Sequence, residues 1–496
     1  MRFPVRRLAM VAALAAATVC ATAVASAPPP DVAAIDALVE DAMRRHGIPG
    51  VAIAIVHDGT IVHARGYGRD GRGQPVTATT PLFIGSVSKS FTALAILRLV
   101  DAGLVDLHAP VRRYLPAFRI GGDDDAAASV TVQHLLAHAS GLSDVRYLET
   151  LRLPDDASIE RAVADLRAAA PVAAPGEAFH YFNPNYVVLG RIVEVVTGES
   201  YGAFLQTNVL DPLGMTRTFV DHDAARAAGL ARGHALTFGV PLPRAQPFRA
   251  YGLPAGYLVS TAEDMAHYLQ VLLDDGRVGD ERLLSRASMI SLFAPSRPSG
   301  VYAKGWFVGE HLGHRLIQHG GTNEFFKAEA MLLPDDDLGV VILANMSTLP
   351  VALVGYPQLA TGVLDLLVGT DRTVAGPSMR TVGYVLAALF AVQLGWLARA
   401  FARLRSWTAR RRGVRAWRIG LELGAHLVTI PAITLAILAF LGGWMGRGVD
   451  LRQAFDGVPD LAAMLLVAYA ADLALAIGKA TALARAGRDR TARPVS

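Results

Sequence analysis

Cysteine is nearly missing from this chain of 496 residues: Cys20 is the only one, and it lies in an apolar stretch at the start. A mature chain without cysteine excludes disulfides, a thiol nucleophile and cysteine-ligated metal, and it suits an oxidising compartment. Charge is also scarce. Charged residues make up 18% against 52% hydrophobic ones, where soluble domains average about 25% charged. No internal repeat, glycine-rich nucleotide loop or spaced cluster of metal ligands occurs, so the sequence gives no reason to expect a cofactor or a metal. The acid runs Asp123-Asp124-Asp125 and Asp335-Asp336-Asp337 stand in turn-like contexts and read as solvated loops rather than calcium sites.

The apolar surplus lies at the two ends. Residues 1–25 carry Arg2, Arg6 and Arg7, then an Ala/Leu/Val run, then Ala23-Val24-Ala25, the pattern of a secretory signal peptide cut after Ala25. After a polar linker at 369–380 come three apolar segments, about 381–398, 419–441 and 461–478, each near the length of a bilayer span. The loop between the first two is Arg-rich, from Arg399 to Arg418, and a basic tail, 479–496, follows the third. The positive-inside rule puts that loop and the C-terminus in the cytoplasm and the region before the linker outside. Glu422, His426 and Asp472 fall within these segments and are expected to act as polar glue between helices.

The net charge of +4 therefore does not describe the middle of the chain. With the basic ends set aside, residues 31–380 are net acidic, which leaves no support for nucleic-acid binding. The arginines instead set topology and meet anionic headgroups, so the expected partners are inner-membrane lipid and a small-molecule or peptide substrate.

Chemistry enters with Phe83-Ile84-Gly85-Ser86-Val87-Ser88-Lys89, followed by the apolar run Phe91 to Val100. If a helix begins here, the i, i+3 spacing puts Ser86 and Lys89 on one face, where the amine can take the hydroxyl proton. A serine at a helix start also serves as an N-cap, so the pair needs company. It has it in Tyr181-Phe182-Asn183 and in His319-Gly320-Gly321-Thr322, which precedes a strand-like run from Ala328 to Leu333.

In this order the three elements resemble those of the class C β-lactamase, penicillin-binding DD-peptidase and esterase family of serine hydrolases. The likeness extends to His134-Leu135-Leu136-Ala137-His138-Ala139-Ser140-Gly141-Leu142, to Pro254-Ala255-Gly256, to Ser260 through Met265, to Lys304-Gly305-Trp306 and to a hairpin from Ile48 to Val56 turning at Asp58-Gly59. It covers residues 31–368. It implies an α+β fold: an antiparallel sheet flanked by helices, with an all-helical region inserted after the Ser86 helix and the active site between them. The resemblance also implies Ser86 as nucleophile, Lys89 and Tyr181 as the acid/base pair, and Asn183 as a contact to Lys89 and substrate. The backbone amides of Ser86 and Thr322 would be oxyanion donors, with Gly320 and Gly321 admitting substrate to the strand edge.

One position departs from the β-lactamases, which carry lysine where His319 stands. Histidine titrates near neutrality, so a conditional positive charge is expected there. An ester, an amide or a D-amino-acid peptide is accordingly a better expected substrate than a penicillin. A degenerate hydrolase acting as a ligand sensor or scaffold is the alternative of another class. His134 and His138 are expected to brace the Ser140-Gly141 turn, and Trp306 to be packing or a pocket wall.

Overall fold

The computed structural model describes residues 30–143, 153–370, 376–404, 406–407, 457–491 and scattered positions between 417 and 436. The expected signal peptide and most of the expected middle membrane segment lie outside the described residues.

The first helix, α1 (Val32–His46), starts where the Asp31 side chain accepts from the Ala34 N–H, 3.0 Å, and stops at Gly47, left-handed at φ 70°. Ile35, Val39 and Ala42 are buried, the one-sided stripe that lays a helix on a sheet. Strand β1 (Gly50–His57) is buried along its whole length. It turns at Asp58 and Gly59, both at positive φ, into β2 (Thr60–Gly68). An Asp-Gly pair tolerates those angles and matches the twist of a hairpin. The sheet is completed late in the chain by β3 (Phe307–His311), β4 (His314–Thr322), β5 (Lys327–Leu333) and β6 (Leu338–Ala344). The six strands lie in the order β2-β1-β6-β5-β4-β3, and each neighbouring pair is antiparallel.

Alternation along β1 divides the core in two. Val51, Ile53 and Ile55 join Ile35 and Val39 of α1 and Leu359 and Val363 of α5 (Tyr356–Leu367) in one cluster. Ala52, Ala54 and Val56 join the cluster on the other face, with Phe91 and Leu94 of α2 (Ser88–Asp101), Leu189 of α3 (Pro184–Thr197) and Leu269 of α4 (Ala262–Leu273). A strand at the centre of the sheet is thus apolar on both faces, which a three-layer arrangement requires. Thr261 caps α4, its hydroxyl accepting from the Asp264 N–H at 3.1 Å. The fold is the expected α+β arrangement.

Two long apolar helices follow: α6 (Met379–Ala402), starting two residues before the expected span, and α7 (Pro459–Thr491), running well past the expected end at 478. Each is long and apolar enough to cross a membrane. They pack side by side, with the Gln393 side chain donating to the Met464 carbonyl at 3.0 Å and Gly478 against Leu404. A hairpin of the main domain, Gly233–Thr237 with Val240–Arg244, meets both. Its Phe238 stacks on Phe390 at 5.2 Å between centroids, its Gly239 lies against Tyr384, and the Phe238 N–H donates to the Asp460 carboxylate.

Candidate active site

A short 3-10 turn, Gly85–Val87, leads directly into α2. The Ser88 hydroxyl locks this turn, donating to the Gly85 carbonyl at 2.7 Å and accepting from the Leu258 N–H at 3.2 Å. Ser86 is partly exposed while the residues on both sides of it are buried, so its hydroxyl is the part of the turn offered to the cleft. Lys89 is fully buried. Its Nζ donates to Ser86 Oγ at 3.1 Å, to Asn183 Oδ1 at 2.7 Å and to the Ala255 carbonyl at 2.5 Å. The i, i+3 spacing read from the sequence is therefore realised as contact.

Asn183 immediately precedes α3, with Pro184 at its first position, where proline fits because that N–H has no partner in a helix. Binding Lys89 through Oδ1 turns the amide nitrogen, the donor end, away from the lysine. The ring of Tyr181 stands 4.9 Å from Lys89 Nζ, and its other ring neighbours are His138, Tyr302 and His319 at 4.3, 6.1 and 6.2 Å between centroids.

The end of β4 closes the site. A Cβ placed on Gly321 would lie 1.9 Å from the Ile84 carbonyl oxygen, and one placed on Gly85 would lie 2.5 Å from the Thr322 nitrogen. Strand and turn approach so closely that only glycines fit, which brings the Thr322 N–H beside the Ser86 turn. Gly320 is on the other face of β4, against Lys327 Nζ and the Glu329 carboxylate, a buried lysine and a partly buried acid that pair with each other.

His319 corrects an expectation. It is 2% exposed, with Nδ1 2.7 Å from the Gly320 carbonyl and Nε2 3.4 Å from the Tyr302 hydroxyl. Burial, with the charge of Lys89 adding to it, pushes its imidazole down to about 3. It is neutral where enzymes work, not a conditional cation, because desolvation disfavours the charged ring and a cation already occupies the pocket.

His134 and His138 part company. His134 belongs to the start of a short helix, Val132–Leu136, where the Thr131 side chain and His134 cap each other's backbone N–H. His138 is fully buried and left-handed at φ 54°; it holds the segment that carries Tyr181 and is joined through Asn185 to Ser140. Trp306 is fully buried against Tyr268 and Phe293. Beside it Lys304 donates to the Ser291 carbonyl at 2.7 Å, and burial pushes its amine down to about 8.

Two contributors escaped the sequence reading. The Ala255 carbonyl accepts from Lys89, and Thr92 holds the neighbouring Pro254 carbonyl at 2.7 Å, so α2 grips the Pro254-Ala255-Gly256 stretch through backbone oxygens. Tyr302, fully buried, links the rings of His138, Tyr181 and His319. The first stretch stood out as a motif, but backbone acceptors leave no residue signature. Tyr302 had no signal at all.

The family profile described as Beta-lactamase matches residues 35–360. The chain belongs to the beta-lactamase family. Among similar family proteins, Protein flp of Staphylococcus aureus (strain COL) is 27% identical over 421 residues, covering 81% of this chain and 82% of that one. Penicillin-binding protein 4 of Amycolatopsis lactamdurans is 34% identical over 255 residues, 50% of this chain and 66% of the other. In structure the chain is similar to the octameric penicillin-binding protein homologue from Pyrococcus abyssi, with TM-score 0.61 and 30% identity over 69% of this chain and 78% of that one. The class C beta lactamase from Rhodobacter sphaeroides shares the fold, with TM-score 0.54 and 24% identity over 67% of this chain and 99% of that one. The beta-lactamase family is one of serine hydrolases, and Ser86, Lys89, Tyr181, Asn183 and His319 lie within its matched span.

Proposed function

We propose that this protein is a membrane-tethered, extracytoplasmic serine hydrolase that forms an acyl-enzyme at Ser86 on an ester, an amide or a D-amino-acid peptide. The observation that carries this reading is Lys89 Nζ lying 3.1 Å from Ser86 Oγ while Asn183 and the Ala255 carbonyl hold it from behind. In its neutral form an amine so placed takes the hydroxyl proton as Oγ attacks the substrate carbonyl. Tyr181, beside the lysine, relays that proton to the leaving group. The N–H groups of Ser86 and Thr322 hold the oxyanion, at a helix start whose dipole favours negative charge. Collapse of the tetrahedral intermediate expels the protonated leaving group and leaves the acyl-serine, and water repeats the cycle to free the acid.

Neutral His319 turns the substrate choice away from penicillins. A penicillin or a peptide C-terminus presents a carboxylate, and an uncharged imidazole at about 3 gives it no fixed cation. The β-lactamase or penicillin-binding DD-peptidase reading is the runner-up for that reason.

Membrane tethering is supported by the packing of α6 and α7. Both helices begin against the main domain, at Met379 and at Asp460, and run away from it side by side. Two helices leaving in the same direction fit a return between them, the crossing we assign to 419–441. The site would then face outward in a bacterial inner membrane, with the C-terminus in the cytoplasm.

A fluorophosphonate and a fluorescent penicillin applied to membranes test the enzyme reading. Labelling of the wild type by the first, lost in Ser86→Ala, is expected. Unchanged ester turnover in that variant would overturn it. A reporter fused at the C-terminus should work only as a cytoplasmic reporter, and one near Gly457 only as an exported one.

A further inference from the structure

His138 lies outside the Ser86, Lys89, Tyr181 and Asn183 set, yet its bonds converge on one member. Its carbonyl accepts from the His180 N–H at 2.8 Å, and its Nδ1 accepts from the Phe182 N–H at 3.1 Å. The two bonds bracket Tyr181. The imidazole also lies over the Tyr181 ring, 4.3 Å between centroids with the planes 34° apart. Backbone on both sides and the ring itself are thus held by one residue.

The tautomer follows from the network. The Ser140 hydroxyl donates to Asn185 Oδ1 at 2.8 Å, which turns the Asn185 Nδ2 donor toward His138 Nδ1, 3.3 Å away. With two donors aimed at it, Nδ1 carries no proton and Nε2 does. Nε2 has no hydrogen-bond partner among the described residues and lies among the rings of Tyr181, Tyr186 and Tyr302. The groups facing the imidazole are Lys89 and His319 by charge and the hydroxyl-bearing Tyr181, Tyr186 and Tyr302. Burial first, then Lys89, holds it well below the ordinary histidine range. The backbone at φ 54° costs a non-glycine residue about 1 kcal/mol, a strain tolerated where the surroundings fix it.

We propose that His138 is a positioning residue for the catalytic tyrosine, a neutral clamp that fixes Tyr181 over Lys89 through the two flanking backbone bonds and ring contact. The inference rests on the role given to Tyr181 above. It assigns a function to the second histidine of the His134–Leu142 stretch that capping does not explain. Protonation of Nδ1 would replace an acceptor with a donor facing two donors, so the clamp works only in the neutral form.

The test uses the full chain in detergent with a neutral aryl ester and a fluorophosphonate, on His138→Ala, His138→Asn and His138→Gln. Asparagine tolerates the left-handed backbone, and its Oδ1 can accept from the Phe182 N–H as Nδ1 does. Glutamine reaches toward the Nε2 position and cannot. His138→Ala should lose about 10² in kcat with KM little changed, the scale for a misplaced catalytic group, and acylation at Ser86 should slow in parallel. His138→Asn should recover most of that loss, and His138→Gln should not. If alanine fails to fold, the comparison of asparagine with glutamine decides. Equal kcat in those two, or full kcat in folded His138→Ala, overturns the proposal. The reading of Ser86 fails separately, when the wild type itself takes no label.

Discussion

Replacing Gly321 with alanine is the sharpest test of how this site is assembled, because the change is one methyl group in a place with no room. The added Cβ would lie 1.9 Å from the Ile84 carbonyl oxygen, a backbone atom of the segment leading into the Ser86 turn. Ordinary van der Waals contact begins at 3.4 Å, so strand β4 and the turn must separate by about 1.5 Å. Neither side yields cheaply. The turn is tied down by Ser88, and β4 is paired with β5 from Ile317↔Leu332 to Thr322↔Lys327. The overpacking alone costs about 1–3 kcal/mol of stability. The proposed oxyanion donors, Ser86 N–H and Thr322 N–H, sit on the two parts being forced apart. Losing one such donor costs about 10²–10³ in kcat, or about 2.7–4 kcal/mol of transition-state stabilisation. A short-chain aryl ester assay with a thermal melt on the same sample reads both effects. A folded Gly321→Ala protein with kcat within about threefold of wild type would refute the idea that Thr322 and Ser86 share an oxyanion, since the roughly 10² expected for a displaced donor would be missing.

Lys89→Ala and Tyr181→Phe should each lower kcat by about 10²–10⁴, the range for lost acid/base help, without unfolding the domain; either retaining full kcat would remove that residue from the mechanism. His319 stays neutral down to about 3, so carboxylate-bearing and neutral substrates should follow the same pH profile through the neutral range; a selective fall for the carboxylate substrate near neutrality would show a working imidazolium. A depressed histidine also links stability to pH: below about 6.5 the unfolded chain takes up a proton that the folded one refuses. The His319 share of that loss should be up to about 1.4 kcal/mol per pH unit of acidification, so stability should fall less in His319→Gln, as thermal melts at stepped pH would show. In Gly383→Val, the side chain would start 2.2 Å from the Gly239 nitrogen, which should loosen the hairpin from α6 and speed proteolysis near Phe238 while leaving ester hydrolysis intact; unchanged cleavage would deny the contact.

The local part of the site was legible because the helix period is local. Ser86 and Lys89 three apart need only a helix start, and the apolar run behind them supplies it. Tyr181, Asn183 and His319 are 95, 97 and 233 residues beyond Ser86, and no spacing argument joins them. Only the resemblance to a known family did, and β4 and α3 are what bring them to one cleft. The apolar strand β1 was readable, but not its partner: β6, which pairs Ile53 with Ile342, comes from the far end of the domain. The charge of His319 was illegible for a different reason. A histidine titrates according to its burial and its neighbours, and both are properties of the folded chain.

These charges also constrain where a proton can go. Lys89, His138 and His319 are basic groups packed around the Tyr181 ring, and each is 2% exposed or less. Putting a second positive charge among them means stacking like charges in a low dielectric, at a cost far above that in water. Burial and the charge of Lys89 push both histidines down, so neither can accept the Ser86 proton in the neutral range. Two candidates then remain beside Ser86: the amine 3.1 Å from its hydroxyl, once it has given up its own proton, and the phenol whose ring stands 4.9 Å from that amine. Proton traffic confined to Lys89 and Tyr181 explains why a chain rich in nearby histidines would still work as a lysine-based hydrolase. It also predicts that diethyl pyrocarbonate, which modifies accessible neutral imidazoles, should leave ester turnover intact at concentrations that modify the surface histidines. Inactivation that His319→Gln prevented would place that histidine in the proton path and defeat the argument.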